Sequence, residues 1–442
     1  MKRNFFSEPA RLPEPPVDGP SEAGRSHSWR SGRIVVAALT LLGATGLPLR
    51  AADDHPPLPR NPELNFSILL QQALRLAPEY VELASRDEEA RLHLEAGRSW
   101  IAGRPTLAIS YLDDQPRTAM GLTELEYGIE VPLRRPGDKR EARVMGENYG
   151  AQASAWKAHL ELTIAGRLRR NLADLEAADR ILELERQATA EARNLVQVVD
   201  KMQAAGEVAQ ADGLQARAQL LQQQRQELAA ETELVDAQWM YSALTGLAAR
   251  PAAAHVEQRT AANGIGDLHP WLRLLRAGVA VADSVVKHAR IESRGSPSVM
   301  VGSRRQRGSS TEDYNDSMIL GLNLPFGGSS SAAAKVGSVA RQKAEAEMQL
   351  LAARKELQRQ LHEAVHELGQ IEESLVLATE QASLDRRQWE MAKTAFEAGE
   401  TNLFPVLTAL RQTRASAREL EALKLRQQRL ISEYNQVIGV LP

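Results

Sequence analysis

The chain contains an internal duplication, and this duplication constrains its fold more than any other sequence feature. An offset of 192 residues places Pro78 on Pro270 and Gly103 on Gly295. An offset of 193 residues then aligns two Ala-Gly-Glu segments, at 205–207 and 398–400. Further matched positions are Ala90 with Ala282, Arg98 with Arg290, Pro105 with Pro297, Pro132 with Pro325, Gln219 with Gln412, Arg225 with Arg418, Tyr241 with Tyr434 and Gly246 with Gly439. Two copies of one structural unit are therefore expected, at residues 65–256 and 257–442.

Each copy predicts the same order of elements: a helix, a strand hairpin, a very long helix, a short break and another helix. In the first copy the helices are expected at 65–103, 137–203 and 208–245, with the hairpin at 105–133. The second hairpin is expected at 297–325. A helix of about 66 residues is about 100 Å long at 1.5 Å per residue, which is more than a globular domain needs. We therefore expect two tall columns in each copy, joined at a tip.

Leucines recur every seven residues along these helices, a spacing typical of helices that pack side by side over long distances. The two tips are expected near Gly206 and Gly399, because glycine adopts the positive φ of a tight helix end without a Cβ clash. The seven-residue ladders are Leu168, Leu175 and Leu182 in the first copy, Leu361, Leu368 and Leu375 in the second, and Leu214, Leu221, Leu228 and Val235 in the shorter helix.

The hairpins combine an apolar face with an acidic one, since alternate side chains of a strand point to opposite sides. The residues expected to face lipid are Leu125, Tyr127, Ile129, Leu320 and Leu322, and those expected to face a water-filled lumen are Glu124, Glu126 and Glu130. Each strand has about 10 residues, the length of a tilted membrane strand. Four strands cannot close a barrel, so several chains must share one. The alternative is a pair of hairpins in a soluble sandwich, for which four strands are too few.

Residues 1–52 have the pattern of an export signal. Arg25, Arg30 and Arg33 precede an apolar run at 34–42, and two small residues follow at 51–52. Residues 53–64 are then expected to be a linker. The chain has no cysteine, which excludes disulfides, thiolate metal sites and an N-terminal lipid on cysteine. A net charge of -3 gives no sign of a nucleic-acid partner.

The two tip motifs and the duplicated plan resemble the TolC family of outer-membrane efflux proteins over residues 60–442. The first motif runs from the Ala-Gly-Glu segment at 205–207 to Leu214, and the second runs from the segment at 398–400 to Leu407. The second motif departs from the first because Pro405 replaces the acidic residue before Val-Leu. The resemblance implies a mostly α, tandem-repeat fold with a small β part, in which a homotrimer forms a long helical barrel below a shared twelve-stranded outer-membrane β-barrel.

The same resemblance implies the partners, the location and the site residues. The expected partners are a periplasmic adaptor and an inner-membrane pump of the RND type, and the expected location is the outer membrane, with a large periplasmic part. No cofactor and no enzymatic activity are implied. The residues expected at the periplasmic tip, where the adaptor would bind, are Gly206, Glu207, Asp212, Leu214, Gly399, Glu400, Asn402 and Leu407.

The exported substrate is less defined by the sequence. The segment Gly-Asp-Lys-Arg-Glu-Ala-Arg at 137–143 is similar to the CzcC-type branch, whose members serve heavy-metal export pumps. Divalent metal cations are therefore one expected cargo. Drug efflux and type I secretion are the alternatives, and a soluble coiled-coil scaffold is an alternative that explains the heptads but not the alternating strands.

A zinc-protease pattern competes with this interpretation. The segment at 362–366 reads His-Glu-Ala-Val-His, which places two histidines on one helix face with a glutamate between them. The segment lies inside a predicted long helix, and the matching residues of the first copy are Arg169 and Ala173, which cannot form a similar site. We therefore predict that the histidines are structural or solvent-facing, and that the chain has no catalytic residue and no metal site.

Overall fold

A computed structural model describes residues 57–442 apart from residues 118, 136, 263, 328 and 329. The predicted export signal, and the first residues of the predicted linker, lie outside the described residues. The described part is mostly helical with a small sheet, as predicted. In chain order the elements are β1 (Arg60–Asn61), α1 (Phe66–Leu76), α2 (Tyr80–Arg98), β2 (Thr106–Asp113), β3 (Thr123–Pro132), α3 (Asp138–Ala204), α4 (Gln210–Thr245), β4 (Arg250–Pro251), α5 (Pro270–Glu292), β5 (Ser298–Arg307), β6 (Asn315–Asn323), α6 (Ser330–Glu397) and α7 (Leu403–Val437).

The prediction of one helix over 65–103 is wrong, because the chain breaks between α1 and α2. Ala77 has extended backbone angles, with φ -64° and ψ 126°. Pro78 follows it, and a proline disfavours helical angles at the preceding residue. In the second copy Pro270 occupies the first position of α5, with His269 as the N-cap residue. A proline tolerated at a helix start thus separates two helices in one copy and begins a helix in the other.

The long helices α3 and α6 have 67 and 68 residues. Towards the tips, α3 packs against α4 and α7, and α7 packs against α6. On the tip side of the molecule, which we call the tip half, the helices therefore lie in the order α4–α3–α7–α6. In the other half, which adjoins the sheet, α3 packs against α2 and α5, and α5 packs against α6. That half has the order α2–α3–α5–α6, so α4, α2 and α6 occupy the ends of the rows.

The core follows the predicted leucine ladders only in part. Leu168, Leu175 and Leu182 of α3 are buried in one cluster with α1 and α4. Leu368 of α6 is buried against α7, and its ladder neighbours Leu361 and Leu375 are partly buried. By contrast, the ladder residues of α4 at 214, 221 and 228 are exposed. The ladders of α3 and α6 therefore lie in the core of the chain, whereas the ladder of α4 lies on its surface.

Four antiparallel strands form one sheet in the order β2–β3–β5–β6. The central pairing joins the two copies of the repeat, with Tyr127 opposite Ser303 and Ile129 opposite Val301. Within the described sheet, β2 and β6 each have a single neighbour, so each leaves one row of backbone groups without a paired strand.

Equivalent tyrosines lie near the ends of α4 and α7 that are far from the tips. Tyr241 donates a hydrogen bond to the carbonyl of Ala249 at 3.0 Å, and Tyr434 donates one to the carbonyl of Ala262. Both tyrosine side chains are fully buried. Each is followed five residues later by a glycine with positive φ, 69° at Gly246 and 81° at Gly439. Helices of the described residues include none that is both long and apolar enough to cross a membrane.

Candidate channel wall and tip

One face of the four-stranded sheet is largely apolar, with the ion pair Arg305–Asp316 on it towards the hairpin turns. Directly opposed residues of antiparallel strands share a face. The strand pairings therefore place on this face the predicted residues Leu125, Tyr127, Ile129, Leu320 and Leu322, together with Leu107, Ile109, Tyr111, Val299, Val301 and Met318. Most of these large side chains are at least half exposed. A large exposed apolar patch of this kind is typical of a surface that contacts a membrane or another protein.

Aromatic residues lie near both ends of the sheet. Tyr111 and Tyr314 lie near the hairpin turns, and Trp100 and Phe326 lie beside the junction with the helices. All four are exposed, Phe326 almost completely. Tyrosine and tryptophan are enriched at the two interfaces of a membrane, so aromatic residues near both ends of an apolar band are typical of a lipid-facing sheet.

The opposite face of the sheet carries Glu124, Glu126 and Glu130, as expected from the alternation. Arg304 also lies on this face and was not predicted. Its guanidinium Nε lies 2.8 Å from Glu124, and it also pairs with Glu126. Glu130 accepts a hydrogen bond from the hydroxyl of Ser298. The predicted acidic surface is therefore partly neutralised. The sequence feature that could have indicated this partner is the polar run Ser303–Arg307 in β5, which pairs with the acidic strand β3.

The two tips have the same backbone turn. Gly206 follows α3 with φ 80°, and Gly399 follows α6 with φ 76°. In each tip the amide of the next residue, Glu207 or Glu400, donates a hydrogen bond to the carbonyl five residues earlier, at 2.9 Å and 2.8 Å. This is the Schellman pattern of helix ends, which requires a residue with positive φ. All four residues are exposed, so both turns present the glutamate side chains to the surface.

The next helix begins differently in the two tips. In the first, the carboxylate of Asp212 accepts a hydrogen bond from the amide of Ala209 at 3.2 Å. In the second, Asn402 is the N-cap residue, and its side chain accepts from the amide of Phe404 at 3.3 Å. Pro405 occupies the position equivalent to Asp212 and lies in the first turn, where its missing amide is not needed. The predicted tip residues Asp212 and Asn402 therefore act as helix caps.

An apolar cluster just behind the tips joins the two helix pairs, α3 with α4 and α6 with α7. Leu407 is 2% exposed within this cluster, whereas its repeat partner Leu214 is 62% exposed. As predicted contact residues, they therefore differ: in this chain Leu214 is accessible to another molecule and Leu407 is not. The buried members of the cluster are Val199, Ala216, Phe396, Leu403, Val406 and Leu407.

Further from the tips, polar contacts join α7 of the second helix pair to α3 and α4 of the first. Arg414 of α7 donates to the carbonyl of Ala188 at 2.7 Å and to the side chain of Gln223 at 3.2 Å. Arg418 lies 2.9 Å from Glu185, which is almost fully buried. Burial lowers the pKa of Arg414 from its ordinary value, although nearby glutamates oppose this effect. These polar contacts connect the first helix pair to the second.

The zinc-protease pattern does not form a catalytic centre in the described residues. His362 and His366 are exposed on α6, with parallel rings whose centroids are 6.4 Å apart. The intervening Glu363 pairs with Arg359, and His366 lies 3.3 Å from Gln370. No group of three or more metal-ligating side chains occurs in the part of the chain that the structure describes.

No family model matches the chain, and no curated protein is similar to it in sequence. Solved structures are similar in fold. The outer-membrane protein VceC of Vibrio cholerae has a TM-score of 0.69 at 17% identity, and the match covers 85% of this chain and 96% of VceC. CusC, described with transmembrane channel formation, has a TM-score of 0.68 at 14% identity over 85% of this chain and 92% of CusC. The outer-membrane channel OprN has a TM-score of 0.65 at 18% identity, over 85% and 89%.

The chain has a TolC-like fold. This finding confirms the predicted fold class. A TolC-like fold accounts for the four-stranded sheet with two open edges, the paired long helices and the two glycine tips in one arrangement. The identities are low, so the match concerns the backbone and leaves the roles of individual side chains to the geometry described above.

Proposed function

We propose that this chain forms, as a homotrimer, the outer-membrane exit duct of an efflux system. The observation that carries the proposal is the sheet, which has one exposed, largely apolar face and two edges that lack a paired strand within the described residues. Lipid would cover the apolar face, and neighbouring copies would pair the edges. The polar face with Glu124, Arg304 and Glu126 would then line the lumen.

In this proposal the helices extend into the periplasm, and the tips meet a periplasmic adaptor that is bound to an inner-membrane pump. Two exposed glutamates, Glu207 and Glu400, mark the two tips of each chain. Three chains would place them in a ring around a narrow mouth, where carboxylates raise the local concentration of cations. The duct itself performs no chemistry in this proposal, and the pump supplies the energy.

Heavy-metal cargo remains a prediction from the segment at 137–143. Gly137 has φ 94°, which favours glycine, and Asp138 contacts Arg134 at 3.3 Å and His288 at 3.2 Å. These contacts give the first two residues of the segment a structural role at the start of α3. Sensitivity of a deletion strain to zinc, cobalt and cadmium salts, compared with its sensitivity to dyes and detergents, would test the cargo class.

Membrane insertion is tested on the two faces of one strand pair. Ile129→Arg places a charge on the apolar face and should impair assembly, because a charge near the bilayer midplane costs about 2–4 kcal/mol. Ser110→Arg, on the opposite face, is the matched control and should assemble normally. The measurements are the trimer yield by native mass spectrometry and the amount of protein in outer-membrane fractions. Equal tolerance of both variants, or a stable monomer in detergent, would refute the proposal.

The role of the tip is tested by a glycine pair. Gly399→Val introduces a β-branched side chain at positive φ and should abolish export and cross-linking to the adaptor, while trimer yield stays normal. Gly337→Val is the control, because Gly337 lies inside α6, the helix that ends just before Gly399, and an added Cβ also meets open space there. Normal export by the Gly399 variant would remove the tip from the mechanism.

A further inference from the structure

An exposed leucine stripe runs along α4. Leu214, Leu221 and Leu228 are each 62–63% exposed, although they repeat every seven residues like the buried ladder of α3. They point away from α3, the neighbour that α4 has in its half of the chain. We call these three residues the α4 stripe. A seven-residue apolar stripe on a long helix is the pattern of a coiled-coil seam whose second helix is absent.

A second stripe runs along α6 in the same half. Leu377, Leu384 and Met391 repeat every seven residues and are 53–73% exposed. We call them the α6 stripe. In the row α4–α3–α7–α6, the two stripes belong to the helices at the two ends, so they cannot meet within one copy.

The two stripes match each other in register. Counted from the tip glycines, the α4 stripe lies 8, 15 and 22 residues after Gly206, and the α6 stripe lies 8, 15 and 22 residues before Gly399. Because α4 leads away from its tip and α6 leads towards its own, the helices would run antiparallel when the tips are level. The pairs would then be Leu214 with Met391, Leu221 with Leu384, and Leu228 with Leu377.

The residues between the stripe positions also match. In an antiparallel coiled coil, the intervening core positions face each other in alternate layers. Arg225 lies 19 residues after Gly206 and Glu380 lies 19 residues before Gly399. Both are exposed, and within the described residues neither side chain forms an ion pair. Trp239 and His366 occupy another such layer, each 33 residues from its tip glycine, and both are exposed.

We propose that the α4 stripe of one copy packs against the α6 stripe of the neighbouring copy, with Arg225 and Glu380 opposed across the seam. The occupant of each stripe is thus a second copy of this chain. The inference rests on the proposed duct and deepens it by naming the helices that meet and their register. Alternation of helix direction is preserved around the ring, because α6 and the neighbouring α4 run opposite to each other like every adjacent pair in the row.

Disulfide cross-linking tests the register directly, since the chain has no native cysteine. Two single variants, Leu221→Cys and Leu384→Cys, are co-expressed with different affinity tags and oxidised with copper–phenanthroline. A covalent dimer that carries both tags is expected. The control pairs Leu221→Cys with Leu377→Cys: a shift of seven residues moves the thiols about 10 Å apart along the helix, which is beyond the reach of a disulfide, about 7 Å between Cα atoms.

A charge reversal provides the second readout. Arg225→Glu should lower the yield of the trimer by placing like charges in one layer, and Glu380→Arg should do the same. The double variant should restore the yield, because the pair is rebuilt in the opposite sense. Arg217→Glu is the control for a general loss of positive charge on α4, because Arg217 is paired with Asp200 within its own copy.

The outcomes separate the seam from the duct. A trimer that cross-links only through the control pair, or not at all, would overturn the register while the proposed duct stands. A monomer in native mass spectrometry would overturn the proposed duct itself. Cross-linking of the matched pair together with rescue by the double variant would support both.

Discussion

The first and the second repeat end in tips that share a backbone but differ in their surroundings. The glycines at 206 and 399 have nearly equal φ, and the hydrogen bonds that close the turns have the same pattern. Leu214 and Leu407 occupy equivalent positions, but only Leu407 is buried. The cause is the order of the helices: α4 ends the row, whereas α7 lies between α3 and α6. Duplication thus preserves the turn, and position in the row decides the environment.

The beginnings of the repeats differ more than the tips. In the first repeat Asn65 is the N-cap of α1, with its side chain 3.0 Å from the amide of Ile68. The equivalent residue of the second repeat is Glu257, which precedes no helix and instead pairs with Arg169 of α3 at 2.7 Å. A buried ion pair therefore anchors the second repeat where a helix anchors the first. The side chain of Asn435 donates to the same carboxylate at 2.8 Å, which ties α7 to this point.

The largest effect is expected at this anchor. Glu257→Gln should destabilise the fold by about 3–5 kcal/mol, because it leaves Arg169 buried without its counter-ion. Glu363→Gln, in an exposed ion pair of α6, is the matched control and should leave stability unchanged. The measurement is the urea midpoint of the detergent-solubilised protein at pH 7. Equal midpoints for the two variants would mean that the ion pair does not anchor the repeat.

The same carboxyl predicts a pH dependence. Burial alone would raise the pKa of Glu257, but hydrogen bonds from His255, Arg169 and Asn435 outweigh it and lower the pKa from 4.5 to about 2. A lowered pKa stabilises the folded chain above the ordinary value, and this stabilisation is lost as the pH falls from about 4.5 to about 2. The Glu257→Gln variant should lose less stability than the unmodified protein over this window. Parallel pH profiles would contradict the assignment.

The next effect separates the two tips. Leu407→Ala should open the apolar cluster behind the tips at a cost of about 2–5 kcal/mol, as for other buried leucines. Leu214→Ala removes a side chain that is exposed in the single copy and should leave this cluster unchanged. Hydrogen exchange at the amides around Phe396 measures both. Faster exchange in the Leu214 variant, to the same degree, would show that the tips are not distinguished by burial.

The repeat, the hairpins and the two tips could be predicted because each depends on local features, such as glycine at positive φ and alternation in strands. The break at Pro78 could not, because the same proline pattern also begins a helix, at Pro270. The partner of the acidic strand was missed since Arg304 is 178 residues from Glu126 and only the sheet brings them together. The buried state of Leu407 and the exposed state of Leu214 also depend on tertiary order, which equivalent sequence positions cannot reveal.

The smallest effect concerns the helix caps of the tips. Asp212→Ala and Asn402→Ala should each weaken the first turn of the following helix by about 1 kcal/mol, because each removes a capping hydrogen bond. The caps lie at different positions of the motif, so one can replace the other. Adding Pro405→Asp to the Asn402→Ala variant should restore protection, since position 405 matches that of Asp212 and a carboxylate there can reach the amide at 402. Hydrogen exchange at the amide of residue 402 and at Val406 in the first turn measures the rescue. The three variants are then compared. If Asp212→Ala costs stability but Pro405→Asp does not restore protection in the Asn402→Ala variant, the two tips differ in backbone as well as in caps.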